Sequence, residues 1–414
     1  MCVRSPSPPV TAGAVTAVVG FTSAFAVVLA GLRAVGATPV QAASGLLALT
    51  VAMGTATIVL AVRTRLPITV AWSTPGAALL VTTGGVAGGW PAAVGAFLVC
   101  GVLLTAVGLS PHLAALAARV PAVLASAMLA GVLLDLCLAP VRSLVTDPLL
   151  VGPVVLVWVV LLRWAPRWAS PAALALATAL AFSSAPVREL GLQAWSPSVT
   201  WTGPELTPGA VVSIAVPLFV VTMASQNIPG LAVLAGFGYA APLRRVMVVT
   251  GLGSIVTAPF GGHAINLAAL SAALAAGPEA GPDRSERWRA AVTAGAGFVL
   301  IGMASAGVAA VALAAPGGLI EAAAGIALVA TFAAALRSAF GAGDHTVAAA
   351  VTLLVTVSGV QAAGVGSAFW GLLAGVAVLL VVRRRVRPSR HVTDLGPQVA
   401  TQSGGHLPFE ASRP

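Results

Sequence analysis

Residues 258–277 read APFGGHAINLAALSAALAAG, and no Asp, Glu, Lys or Arg stands between Arg245 and Glu279. A charge-free stretch of that length can cross a bilayer, which takes about 20 mostly apolar residues. Yet Gly261, Gly262, His263 and Asn266 stand near its middle. Polar groups at that depth are expensive and face protein or water rather than lipid. The run LAALSAALAA after Asn266 is strongly helix-forming and closes at Gly277 and Pro278. The segment therefore reads as irregular chain entering a half-helix, with Asn266 as its N-cap.

An earlier stretch, ITVAWSTPGAALL (68–80), has the same plan. Its first residues are β-branched and aromatic. Ser73 and Thr74 are both good N-caps, and Pro75 suits the first turn of a helix. Non-helical backbone at membrane depth is tolerated only where protein or a water-filled cavity satisfies it. A half-helix start offers free N–H groups and the positive end of a dipole, so two starts facing each other make an anion site. Interhelical packing is the rival reading for either segment alone. Their matched positions favour the site.

Composition fixes the class. Apolar residues are 58% of the 414, charged ones only 8%, and mean hydropathy is +1.01, far from a globular chain. Punctuation by Pro, Gly and charge gives fourteen spans: 12–32, 41–62, 67–84, 90–110, 121–139, 148–164, 168–185, 209–228, 243–257, 263–277, 288–314, 317–336, 344–361 and 366–383. No cleavable signal precedes them. All 21 basic residues are Arg. With the N-terminus cytoplasmic, only Arg33, Arg142 and Arg188 fall outside, as the positive-inside rule asks. The basic balance is therefore topological and implies no nucleic acid. Cys2, Cys100 and Cys137 form no disulfide or metal pattern. No metal, cofactor or catalytic motif is present.

The expected organisation is a cytoplasmic segment (1–11), a seven-span repeat (12–185), an outer loop (186–208), a second seven-span repeat (209–383) and a cytoplasmic, basic, disordered tail (384–414). Seven spans per half force the second copy to be inverted, a transporter signature. Thr74 to Asn266 is an offset of 192, while Pro121 to Pro316 and Arg142 to Arg337 are offsets of 195. A third polar spot is Gln226 and Asn227, deep in an apolar run before Pro229 and Gly230. Asp135 reads as an interface residue, Asp344 as a cap of span 13, and Glu321 stands one turn into span 12.

The stretches AWSTPGAALL, ASQNIPGLAVLAGFGY and APFGGHAINLAALSAALAAG resemble the signature segments of the benzoate/proton symporter (BenE) family, over roughly 12–383. That family sits in a wider group with uracil permeases and sulfate-type transporters. The resemblance implies an all-α membrane fold of fourteen spans in two inverted sevens, spans 3 and 10 discontinuous, with core and gate domains. It implies substrate contacts from Ser73, Thr74, Pro75, Gly76, Gln226, Asn227, Gly262, His263 and Asn266. Uracil permeases carry a glutamate where Gln226 and Asn227 stand, and its absence suits an anion. The proton carrier is then His263 or Glu321.

The expected function is import of benzoate or a similar aromatic carboxylate with a proton across the bacterial cytoplasmic (inner) membrane. No cofactor is implied. The partners are the small acid, the proton and the lipid bilayer, with a homodimer left open. The alternatives are another anion or a nucleobase on the same fold, an anion channel, or a membrane-embedded enzyme.

Overall fold

The computed structural model describes residues 8–117, 121–341, 345–362 and 365–383. The expected tail 384–414, the first seven residues and the Asp344 cap lie outside the described residues. The first half runs α1 (Pro8–Thr22), α2 (Phe25–Ala34), α3 (Pro39–Thr64), β1 (Val70–Trp72), α4 (Thr74–Thr83) and α5 (Gly89–Leu109). It continues through α6 (Pro111–Ala117), α7 (Ala122–Thr146), α8 (Pro148–Trp164), α9 (Pro166–Ala181) and the short α10 (Ala185–Arg188).

The second half opens with α11 (Pro208–Ala210), α12 (Val216–Thr222), α13 (Ile228–Gly236) and α14 (Leu243–Thr257), then β2 (Ile265–Leu267) and α15 (Leu270–Ala276). It ends with α16 (Trp288–Met303), α17 (Ser305–Ala314), α18 (Leu319–Phe340), α19 (Thr346–Val357) and α20 (Ser367–Arg383). Every predicted span thus holds a helix or a strand-plus-helix. Among the described residues, seven helices are long and apolar enough to cross a membrane. The pair α16/α17, bent by 57°, makes an eighth; α8, α19 and α20 are shorter apolar helices.

Besides the bend between α16 and α17, two spans break where the sequence did not say. Span 1 begins at Pro8 rather than at residue 12 and is interrupted at Ser23–Ala24. Span 8 holds two wide π-type turns, Val211–Ala215 and Met223–Asn227. Each lies one turn ahead of a proline. Pro217 has no N–H for Ser213, nor has Pro229 for Ser225, so the missing bond and the ring open the backbone there.

The helices form two packed groups. One is built from α1–α5 and α11–α17, with α3 against α16, α1 against α16, and α5 against α14. The other is α7–α9 with α18–α20, centred on α7 against α18. Small residues permit the closest contacts, as at Gly54 and Gly295 on α3 and α16, where a side chain on either would meet the other's carbonyl. The loop before α11 crosses the ends of the first group: the Thr202 N–H donates to Pro259 O (2.8 Å) and the Glu205 N–H to Pro91 O (3.0 Å).

Candidate functional site

The two discontinuous spans meet. β1 and β2 pair antiparallel, Val70 opposite Leu267, Ala71 opposite Asn266 and Trp72 opposite Ile265. Bonds from Ser73 N–H to Ala264 O (3.0 Å) and from Ala268 N–H to Thr69 O (2.9 Å) extend the ladder. Each strand would leave a row of unpaired polar groups at membrane depth, and pairing satisfies both. Val70 to Ile265 and Ala71 to Asn266 are both steps of 195 residues, so Ala71 pairs with its own repeat counterpart. The pseudo-twofold axis of the inverted repeat passes between them. The offset of 192 drawn from Thr74 and Asn266 is therefore corrected to 195.

The cap of the first half-helix follows its sequence. Ser73 Oγ accepts the Gly76 N–H (3.1 Å) and lies 2.8 Å from the Thr222 hydroxyl. The Ser73 carbonyl takes the Ala77 N–H (2.8 Å). Pro75 has no N–H, so Thr74 is left with the uncommitted backbone donor of this first turn, beside its own hydroxyl. Gly76 is required by packing, since a Cβ there would collide with Leu218 and Ser73. Gly262 is pressed equally against Thr257.

The second half-helix differs from its expectation. Asn266 lies in the middle of β2, and α15 starts at Leu270 with Ala269 at its N-cap and no capping side chain. The Asn266 Nδ2 donates to Leu267 O (2.9 Å), while its buried Oδ1 meets no hydrogen-bond partner among the described residues. Asn227 Oδ1 accepts the Leu267 N–H (2.9 Å), tying the wide turn of span 8 to β2. His263 is fully buried and edge-on to Phe97. Its Nε2 is 2.9 Å from the Ser73 carbonyl, which can only accept, so Nε2 carries the proton. Nδ1 has no partner among the described residues.

A cavity of about 160 Å³ opens beside this junction, between the two helix groups. Thr74, Gln226, Ala268, Ala269 and Ser271 line one side, and Ala327, Leu328 and Thr331 of α18 the other. Trp72, Leu274 and the break in span 1 complete it. Of the sequence candidates, Thr74 and Gln226 reach the cavity wall. Ser73, Pro75, Gly76, Asn227, Gly262, His263 and Asn266 form the buried frame behind it. Glu321 lies elsewhere: it is exposed and its Oε2 caps the Gly318 N–H of α18 (3.1 Å). Ser23, Ser271 and Thr331 were not among the candidates. Hydroxyls in Ala-rich helices carry no local mark, and only the opposed helices reveal them.

The BenE family model, described as benzoate membrane transport protein, matches residues 4–381. The chain belongs to this family. It is 38% identical over 378 residues to the inner membrane protein YdcO of Escherichia coli, covering 91% of this chain and 96% of that one. It is 29% identical over 330 residues to the benzoate membrane transport protein of Acinetobacter baylyi, covering 78% and 82%. Its fold resembles the transmembrane domain of a cyanobacterium bicarbonate transporter, BicA, with a TM-score of 0.56 at 14% identity, over 91% of this chain and 98% of that one. BenE membership makes the chain a multi-pass membrane transporter, not an enzyme.

Proposed function

We propose that the chain imports benzoate or a closely related aromatic carboxylate together with a proton, by alternating access at the cavity between the two helix groups. The observation that carries this is the cavity itself. Its size suits one ring, since an apolar cavity of about 150 Å³ suffices to admit benzene. One side presents the Thr74 N–H and hydroxyl, the Gln226 carboxamide, the Ser271 hydroxyl and the uncapped start of α15; apart from the Ser23 and Thr331 hydroxyls the rest of the lining is apolar. No acidic side chain lines it among the described residues. A carboxylate held at these donors leaves the ring against Trp72, Leu274 and Leu328.

Benzoate is ionised at neutral pH, so one anion moving with one proton is electroneutral and driven by the pH gradient. His263 is the proton carrier in this reading. Protonation of its free Nδ1 beside the α4 cap would favour a nearby anion, and the anion would favour the proton, the reciprocity that symport needs. Rocking of the α7–α9/α18–α20 gate against the rest alternates access. The arginine distribution supports fourteen crossings of the cytoplasmic membrane with both termini inside.

Labelled benzoate uptake into proteoliposomes with an acidic exterior tests the reading, with protein-free vesicles correcting for diffusion of the neutral acid. The expected result is saturable accumulation that collapses with the gradient. Unlabelled benzoate should compete at least tenfold better than benzamide, which has the shape without the charge. Equal competition by benzamide rejects the anion site, and better competition by uracil rejects the substrate class. Equilibration without accumulation would identify a channel.

A further inference from the structure

The gate-side wall of the cavity carries one polar group, the Thr331 hydroxyl, about one turn along α18 from the apolar Ala327 and Leu328. Threonines buried in membrane helices normally spend the hydroxyl on the carbonyl four residues earlier. Thr50, Thr57, Thr250 and Thr352 all do so here, at 2.6–2.9 Å. Thr331 does not: its side chain makes no hydrogen bond to any described residue. On the facing wall Ser271, only 8% exposed, likewise leaves its hydroxyl without a described partner. Thr74 and Gln226 are uncommitted as well.

A carboxylate has about four lone-pair sites to satisfy. The Thr74 N–H and hydroxyl, the Gln226 NH₂ and the Ser271 hydroxyl are enough for it, all from the core side. Thr331 is left over, on the opposite helix group, facing the far edge of the ring. An unsubstituted ring entering this cavity strips water from Thr331 and returns nothing, which costs affinity. A ring hydroxyl at that edge restores the bond.

We propose that Thr331 reads a hydroxyl on the ring edge away from the carboxylate, so that the preferred substrates are meta- or para-hydroxylated benzoates rather than benzoate itself. This rests on the reading of the cavity as an aromatic carboxylate site.

The test measures binding of benzoate and its 2-, 3- and 4-hydroxy derivatives to the purified full-length protein, and to Thr331→Val and Thr331→Ser. In wild type, the 3- or 4-hydroxy acid should bind about tenfold tighter than benzoate. The 2-hydroxy acid, whose hydroxyl folds back on its own carboxylate, should show no such gain. Thr331→Val should abolish the preference by tightening benzoate, which no longer has a hydroxyl to desolvate, while weakening the 3- and 4-hydroxy acids, and Thr331→Ser should retain it. Wild type binding benzoate as tightly as the 3- and 4-hydroxy acids overturns the proposal. So does Thr331→Val weakening all four acids equally, which would put Thr331 at the carboxylate. Binding of none of the four would overturn this proposal together with the aromatic carboxylate reading beneath it.

Discussion

His263 holds the site together through one atom and leaves another free. Its Nε2–H donates to the carbonyl of Ser73, 190 residues away, and that carbonyl also accepts the first backbone bond of α4. A proton added at Nδ1 therefore acts directly on the cap of the half-helix whose Thr74 lines the cavity. Gln at 263 keeps a donor for Ser73 and cannot carry the proton. His263→Gln should retain benzoate exchange down its gradient within about threefold and lose at least tenfold in pH-driven accumulation. Unchanged accumulation would move the proton elsewhere. Glu321→Gln is the control: Gln serves a capping box as well as Glu, so accumulation and stability should both persist. Asn227 is the opposite kind of residue, a structural one. Asn227→Leu strands the Leu267 N–H inside the protein, and such an orphan costs about 1–3 kcal/mol. A lowered unfolding midpoint in detergent should report it.

The elements nearest the site are the irregular ones, and they divide by how far the sequence could announce them. β1 and α4 were legible: a β-branched and aromatic run, a serine cap and a first-turn proline are local signals, and each stands where it was expected. β2 was legible only as an interruption. Asn266 is a good N-cap type, but what fixes its conformation is pairing with Ala71, a contact no local pattern encodes. The result is a helix that starts three residues later and has no polar cap. The wide turn Met223–Asn227 was visible only as Pro229 after two polar residues, because the choice between a kink and a widened turn depends on neighbouring helices. Pro229→Ala tests that assignment. It supplies an N–H for the Ser225 carbonyl, so the turn can close to α-helical register and rotate Gln226 and Asn227 away from the cavity and β2. Transport should fall at least tenfold, while the unfolding midpoint stays near that of wild type, because the new backbone bond offsets the lost Asn227–Leu267 bond. Retained transport would mean that the turn owes nothing to Pro229.

At the scale of the whole molecule, the orientation and the motion are each open to one measurement. In a cysteine-free background, a cysteine replacing Ser198 should react with an impermeant thiol reagent from outside the cell, and one replacing Ser285 should not; the reverse would overturn the topology. The motion concerns an ion pair that joins the two helix groups. Arg167 at the start of α9 and Glu279 after α15 are 2.7 Å apart, with side chains 53% and 59% exposed. Both border a cavity of about 420 Å³ that shares Leu274 with the central one, on the side where the arginines cluster. In the proposed orientation the pair spans the cytoplasmic mouth, and opening that mouth must break it. An exposed pair is worth at most about 1 kcal/mol, so it biases the gate without locking it. Glu279→Gln should speed the reaction of a cysteine at Leu274 with a cytoplasmic thiol reagent by about two- to fivefold, and the gain should vanish at high salt, where the wild-type pair is screened as well. The exchange Arg167→Glu with Glu279→Arg should restore the slow rate, because it restores the attraction with the charges reversed. A double exchange that labels as fast as Glu279→Gln would mean that the pair is solvated charge and that packing alone closes the mouth.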